Sequence, residues 1–170
     1  MNDIIIFQLQ RNLGVFQKLL QDISDIDICT WKPHKDKWCL LEVLCHLYDE
    51  EREDFRFRIK WVLEKPGVVP PPFDPTVWVK ERNYMGQDYR QMLKKFLQER
   101  EESVKWLKSL ENANWQNSYE HPTKGKITAR YYLVNWLSHD YLHMRQIIKL
   151  KYDYIKEITG ENLDYAGSLN

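Results

Sequence analysis

Three histidines carry the chemistry that this chain could perform. His139 and His143 are four residues apart in a segment with helical periodicity, so they lie on one face of a predicted helix. His46 lies in a different predicted helix, and its imidazole could complete a set of three nitrogen ligands. Three imidazoles form an open metal centre that keeps coordination positions for water or substrate. The sequence therefore predicts a divalent-metal site made by these three histidines.

Polar and aromatic residues share the helix faces of the three histidines. A metal-bound imidazole usually donates its other N–H to a carboxylate, an amide or a carbonyl oxygen. Glu50, one turn after His46, is our first candidate for that acceptor, for an occasional fourth ligand and for the catalytic proton acceptor. The further candidates for hydrogen bonds to ligands are Glu42, Asn135 and Gln146, and the candidates for the pocket lining are Tyr132 and Trp136.

Other catalytic classes have weaker support in the sequence. His139-Asp140-x-x-His143 is similar to the zincin pattern H-E-x-x-H, with aspartate in place of the glutamate that acts as general base. No G-x-S-x-G nucleophile motif and no phosphate-binding G-x-x-x-x-G-K-[ST] motif occurs. Cys45 is adjacent to His46, but neighbouring side chains on a helix point about 100° apart. A cysteine–histidine catalytic pair is therefore not expected.

Composition narrows the class of protein further. The 170 residues include 25 Lys and Arg against 25 Asp and Glu, so neither nucleic acid nor an anionic membrane is a predicted partner. The three cysteines lack a C-x-x-C pair, which argues against a disulfide framework and a zinc–cysteine site. The N-terminus lacks the features of a signal peptide, and no apolar stretch is long enough to span a membrane. We expect a cytoplasmic protein.

Four long segments have the apolar period of an α-helix, and no segment has the alternation of a convincing strand. Glu51 interrupts the apolar stripe of the second segment. We predict long helices at about residues 3–23, 39–64, 88–110 and 128–151, a short extra helix at about 76–82, and a short terminal piece that ends at Gly160.

The connection between the second and third long helices is rich in proline. Five prolines lie between Lys65 and Thr76, which forbids a helix interior there and favours an extended loop. Asp74-Pro75 has the pattern of an N-cap followed by the first residue of the short helix. The prediction is an all-α four-helix bundle that forms a single domain, residues 1–170, with about 152–170 as a C-terminal extension.

Three stretches of the sequence resemble the motifs of one family, the DinB-like (YfiT) superfamily of metal-binding four-helix bundles. The resemblance covers nearly the whole chain, and the stretches occur in the family's order. They are Trp38–Glu51 (WCLLEVLCHLYDEE), Phe73-Asp74-Pro75 with Trp78 and Glu81-Arg82-Asn83, and Trp136–Ile147 (WLSHDYLHMRQI), which contains the pattern H-D-x-x-H-x-x-Q-I.

The resemblance implies an up-down-down-up bundle, often dimeric, in which His46, His139 and His143 hold a divalent metal, commonly nickel or zinc. Members of the family include enzymes that join low-molecular-weight thiols to electrophiles, and others are described as metal-dependent hydrolases. We therefore expect a metal-dependent enzyme for a small molecule, either a small-thiol-dependent S-transferase or a related hydrolase. The alternative is a non-catalytic bundle, as a homodimer, whose metal site is structural, degenerate or empty.

Overall fold

A computed structural model of the chain describes residues 2–21, 23, 27–72 and 74–167. Phe73 of the second motif lies outside the described residues. The helices are α1 (Asn2–Leu20), α2 (Asp27–Thr30), α3 (Leu40–Asp49), α4 (Phe57–Glu64), α5 (Pro75–Glu81), α6 (Tyr89–Ser109) and α7 (Ala129–Thr159). A π-helical segment, Glu50–Arg56, joins α3 to α4, and single 3₁₀ turns occur at Tyr84–Gly86 and Asp164–Ala166.

Side-chain caps fix the starts of three helices. The carboxylate of Asp74 accepts from Thr76 N at 2.9 Å, with Pro75 as the first residue of α5, as the sequence predicts. Asp88 accepts from Gln91 N at 2.7 Å at the start of α6. The Thr128 hydroxyl accepts from Tyr131 N at 3.0 Å and confirms the predicted cap of α7.

The bundle has the predicted up-down-down-up connection. α1 and α7 run parallel, because their contacts advance together along both chains. α6 runs antiparallel to α1, and the rod made of α3, the π segment and α4 runs antiparallel to α7. The contact pairs are Asn2 with Arg130 and Leu19 with Lys151, then Leu20 with Tyr89 and Gln10 with Lys108, then Glu51 with Trp136 and Arg58 with Tyr132.

The up-down-down-up connection requires a long crossover, and the proline-rich loop provides it. Since α4 and α6 both run downward, the chain must return along the bundle between them. The extended backbone is fixed by Trp61, whose indole N–H donates to Val68 O at 3.0 Å, and by Gly67, whose N–H donates to Ser118 O at 2.8 Å. Residues 65–72 and 74 lie in the predicted long loop, and the short extra helix α5 follows.

The predicted secondary structure lacks α2 and the π-helical segment, and it is wrong in two details around α7. A short antiparallel hairpin, β1 (Ser118–His121) with β2 (Gly125–Thr128), precedes α7. Its strands have four residues each, too few for alternation to be recognised, and the pairing of Tyr119 with Ile127 buries both side chains. The fourth long helix also continues past residue 151 to Thr159, where Gly160, at φ 67°, ends it as predicted.

The core consists of two apolar clusters along the bundle axis. One lies around Phe16, Leu44 and Phe96, and the other around Leu9, Ile59 and Leu133. The face of α7 that carries His139 and His143 lies between these levels, opposite α3. No helix among the described residues combines the length and apolar character needed to cross a membrane.

Candidate metal centre

The three predicted ligand histidines converge in the structure. His46 lies near the end of α3, and His139 and His143 lie one turn apart in the middle of α7. The Nε2 atoms of His46 and His139 are 3.3 Å apart, and those of His139 and His143 are 3.0 Å apart. One ligand atom from each ring lies within 4.8 Å of the other two. Two antiparallel helices thus direct three nitrogens at one point.

This spacing fits a shared cation. Imidazole nitrogens bind zinc at about 2.0–2.1 Å, so neighbouring nitrogens on one ion are roughly 2.8–3.4 Å apart between octahedral and tetrahedral geometry. The two distances at His139 fall in that range. Without a cation, the lone pairs of these nitrogens point towards one another. At most one proton fits between each pair of nitrogens, so hydrogen bonds cannot satisfy all of them. The donor set therefore suits a divalent metal with nitrogen preference.

The protonation of the three rings also suits a cation. Burial lowers the pKa of His46 to about 3, and the neighbouring His143 adds to that effect. Burial lowers the pKa of His139 to about 2, with contributions from the two other imidazoles and from Arg100. Burial likewise lowers the pKa of His143. The rings are thus neutral at physiological pH, which is the form that binds metal.

The outer nitrogens of the rings have unequal partners. Nδ1 of His143 lies 2.8 Å from Oε1 of Gln146, so this nitrogen carries the ring proton and the lone pair of Nε2 faces the centre. Among the described residues, the buried Nδ1 of His46 has no hydrogen-bond partner. The nearest carboxylate oxygen, Oε1 of Glu50, is 3.9 Å away. A small movement of this side chain would complete the bond.

Glu50 is a buried acid on the outer side of the His46 ring. Burial raises its pKa to about 9, and the nearby Asp54 carboxylate adds to the shift. Its carboxyl group carries a proton at neutral pH when no cation is present. A positive charge at the three Nε2 atoms would favour the ionised carboxylate. Glu50 begins the π-helical segment, a type of helix distortion that is frequent at functional sites.

Comparison with known sequences assigns the family. The sequence model of the DinB superfamily matches residues 8–147, which is most of the chain and includes all three histidines. The chain belongs to the DinB superfamily. No curated protein matches the sequence of this superfamily member.

A solved structure shares the DinB fold. YfiT from Bacillus subtilis is similar to this chain with a TM-score of 0.76 and 19% sequence identity, over 95% of this chain and 89% of that one. That protein is described as "a probable metal-dependent hydrolase with an unusual four-helix bundle topology". At this identity the similarity shows a shared fold. The family that the sequence motifs predict is confirmed by the superfamily model that matches residues 8–147.

Two of the predicted hydrogen-bond partners have other contacts in this DinB protein. The carboxylate of Glu42 accepts from Cys39 N at 3.0 Å and from the ammonium group of Lys32 at 2.7 Å. The amide of Asn135 donates to Tyr131 O at 2.8 Å along its own helix. Neither side chain forms a hydrogen bond with a ligand histidine among the described residues. Gln146 does, as the sequence predicts.

The two aromatic residues predicted to line a pocket are instead part of the core. Trp136 is 1% exposed, and its indole N–H donates to Glu51 at 3.1 Å. The Tyr132 hydroxyl is 2.6 Å from that of Tyr119. Both rings face the bundle interior, so a bound molecule cannot reach them. The aromatic wall of the site is formed by Trp38, whose ring centroid is 4.8 Å from that of His46.

Asp140 cannot serve as the general base of a zincin-like site. Its side chain is fully buried, and both carboxylate oxygens accept from the Arg100 guanidinium at 2.7 Å. Asn12 donates a third hydrogen bond at 2.8 Å. A general base must face its substrate, so the zincin interpretation is wrong. Arg100 and Asn12 were not among the predicted site residues, although each interrupts the apolar face of its helix as Glu51 does.

Proposed function

We propose that this protein is a metal-dependent enzyme in which His46, His139 and His143 hold one divalent cation, nickel or zinc. The observation that supports this proposal is the convergence of three neutral imidazoles: Nε2 of His139 is at ligand spacing from Nε2 of His46 and of His143, and one ligand atom of each ring lies within 4.8 Å of the other two. When bound, such an ion lowers the pKa of a coordinated water or thiol and polarises a substrate oxygen. The protein's own residues have the remaining tasks of orienting the ligands, moving protons and admitting the substrate.

Gln146 and Glu50 orient the ligand rings in this proposal. Gln146 accepts the Nδ1 proton of His143 and so keeps its Nε2 free. Glu50 does the same for His46 when its carboxylate moves from 3.9 Å to hydrogen-bond distance. The carboxyl of Glu50 lies on the Nδ1 side of the ring, away from the three Nε2 atoms, and this favours action through His46. Its predicted role as the catalytic proton acceptor stays a prediction.

The substrate class we propose is a small molecule with an apolar part. His139 and His143 are partly exposed, so the site is reached from the α7 side, where Trp38 offers an aromatic surface. The DinB resemblance supports a small-thiol-dependent S-transferase with a low-molecular-weight thiol as cofactor. The description of YfiT supports a related hydrolase. Both reactions need a nucleophile activated near neutral pH, and they differ in whether a thiol or water attacks.

Metal analysis tests the proposal directly. We expect one nickel or zinc ion per chain in protein purified without a polyhistidine tag, and loss of that ion in His46→Ala. His34→Ala is the matched control, because His34 is an exposed loop histidine that should leave the metal content unchanged. Well-folded wild-type protein that binds neither ion after loading would contradict the proposal.

A thiol screen separates the two reactions. The metal-loaded protein is incubated with small thiols and a generic electrophile, and separately with activated esters and amides in the absence of thiol. Thiol-dependent consumption of the electrophile supports the S-transferase. Turnover of esters or amides without thiol supports the hydrolase. If neither occurs and His143→Ala changes only the melting temperature, the alternative of a structural site in a non-catalytic bundle is favoured.

We also propose that the protein is a cytoplasmic homodimer. Cys39 and Cys45 are buried free thiols in the described part of the chain, which fits a reducing compartment. An apolar row at seven-residue intervals, which we name the outer stripe, follows the solvent side of α7 for about 30 Å. Seven-residue spacing is typical of a helix seam that pairs with another helix. The outer stripe consists of Val134, Tyr141, Ile148 and Ile155, which are 39–51% exposed.

A further inference from the structure

One polar residue from each long helix of the bundle meets in the middle of the core. We name this set, Asn12, Glu51, Arg100 and Asp140, the polar layer. None of the four is more than 4% exposed. Arg100 donates Nε–H to Glu51 at 2.7 Å and two parallel bonds to Asp140 at 2.7 Å. Asn12 donates to Asp140 at 2.8 Å.

The geometry of the polar layer allows one arrangement of the helices. The bidentate pair between Arg100 and Asp140 needs both planar groups aligned, so rotation or sliding of α7 against α6 would break two bonds at once. An apolar layer tolerates such shifts, because aliphatic contacts have little direction. Replacing buried ion pairs by apolar residues is often neutral or stabilising, and the best-attested use of buried polar groups is to fix register.

The polar layer is connected to the candidate metal centre by direct contacts. Asp140 follows His139 in the chain. The second oxygen of Glu51 accepts from the Trp136 indole at 3.1 Å. The Trp136 ring stacks on Phe55 with centroids 5.6 Å apart, and Phe55 contacts the His139 ring at 5.1 Å. The polar layer thus fixes Trp136, which precedes His139 in α7, and Asp140, which follows it.

We propose that the polar layer is a positioning device that fixes the rotation of α7 against α3 so that the three histidine Nε2 atoms converge. Arg100 and Asp140 are positioning residues, since neither faces the point where those atoms meet. The proposal deepens the proposed function, and it rests on that function for its metal readout. It predicts that register, and not stability, is what the layer contributes.

The decisive variant replaces the whole layer with apolar residues of similar volume. In the fourfold variant Asn12→Leu, Glu51→Met, Arg100→Met and Asp140→Leu, no buried charge is left unpaired, and the Trp136 indole alone loses the acceptor described above. We therefore expect a folded protein with a melting temperature close to that of wild type. We expect it to bind Co²⁺ about 10- to 100-fold more weakly than wild type, with a changed cobalt absorption spectrum. In the metal-free variant, the ring resonances of the ligand histidines should broaden or double.

A conservative variant guards against failure to fold. Arg100→Lys keeps the positive charge but loses the planar fork, so it should fold and bind Co²⁺ with an affinity between those of wild type and the fourfold variant. Wild-type cobalt affinity in Arg100→Lys would overturn the proposal if the fourfold variant does not fold. Leu107→Ala is the stability control, because this buried residue of α6 lies two helical turns from Arg100 and takes part in none of the bonds of the polar layer. It should lower the melting temperature and leave the cobalt affinity unchanged.

The two proposals fail in different ways. Wild-type protein that binds no Co²⁺, Ni²⁺ or Zn²⁺ would contradict the proposed function, and the histidine ring spectra of the metal-free proteins would still decide the role of the layer. A folded fourfold variant with wild-type ring spectra would overturn the positioning proposal whatever the wild type binds. So would wild-type cobalt affinity in that variant.

Discussion

At the scale of single residues, the chemistry depends on which nitrogen of each histidine carries the ring proton. Gln146 accepts the Nδ1 proton of His143, which leaves Nε2 as the lone-pair atom. His46 lacks such a bond among the described residues, and Glu50 is 3.9 Å from its Nδ1. If the tautomer of a ligand ring is not fixed, part of the binding free energy is used to order the ring when a cation binds, and the metal affinity is lower. Loss of the hydrogen bond between His143 and Gln146 should therefore lower the metal affinity.

Gln146→Ala tests this contact. We expect metal affinity to fall by about tenfold, because the ring of His143 loses the partner that fixes its tautomer. The melting temperature of the metal-free protein should change little, since Gln146 is partly exposed. Competition titration with a chromophoric chelator measures the affinity. Asn135→Ala is the control on the same helix, and an equal loss in both variants would contradict a specific role for Gln146.

The three candidate ligands are predictions from sequence, and their hydrogen-bond partners could be predicted only in part. Gln146 is three residues from His143 on the same helix, so local periodicity is sufficient to bring them together. Glu42 is also one turn from His46, but its carboxylate contacts Cys39 N and Lys32. The contact with Lys32 depends on how the preceding loop folds back, which helical spacing cannot reveal.

At the scale of elements, α5 is fastened to the helix that carries His46. The Arg82 guanidinium bonds both carboxylate oxygens of Glu53 in the π segment, at 2.9 and 2.7 Å, and also contacts Asp49 at 2.7 Å. The Tyr84 hydroxyl donates to Asp49 at 2.7 Å. The end of the proline-rich crossover is thereby attached beside the candidate metal centre by bonds that involve charged groups.

The pair of Glu53 and Arg82 predicts a dependence of stability on pH. Hydrogen bonds from Arg82 hold the pKa of Glu53 below its ordinary value of about 4.3. The native state therefore binds this proton less readily than the unfolded chain. The stabilisation is fully present above the ordinary pKa and is lost as the pH falls through the lower native value.

Glu53→Gln measures that effect. We expect the difference in unfolding free energy between wild type and Glu53→Gln to be largest at neutral pH and to shrink as the pH falls below about 4. Urea denaturation at a series of pH values gives the difference. Glu64→Gln is the control, because the exposed Glu64 lies 3.9 Å from Lys60 in a pair that should contribute little. A difference that stays constant with pH would contradict the assignment.

At the scale of the whole molecule, the outer stripe of α7 faces solvent. The stripe has the regular spacing of a pairing surface, and exposed apolar patches of this extent mark interaction sites in many proteins. A second copy of the chain could cover it with the same stripe related by twofold symmetry. The metal centre lies on a different face of α7, so pairing would leave it accessible.

Ile148→Lys tests the homodimer. A charge in the centre of the outer stripe should convert a dimer to a monomer, because an unpaired ammonium group would be buried at the interface. Sedimentation equilibrium measures the mass. Val69→Lys, in the exposed proline-rich loop, is the control and should leave the mass unchanged. A wild-type protein that sediments as a monomer at all concentrations would reject the homodimer.

The sequence by itself determined the four long helices, the caps at Asp74 and Thr128, and the place of His139 and His143 on one helix face. These features depend on periodicity and short-range hydrogen bonds, which residues close in the chain fully define. Only the tertiary structure decided that Trp136 and Tyr132 lie in the core, that Asp140 bonds Arg100, and that the hairpin forms. Each of these features depends on contacts between residues far apart in sequence. The pattern of residues on one helix face does not reveal which other helix will pack against it.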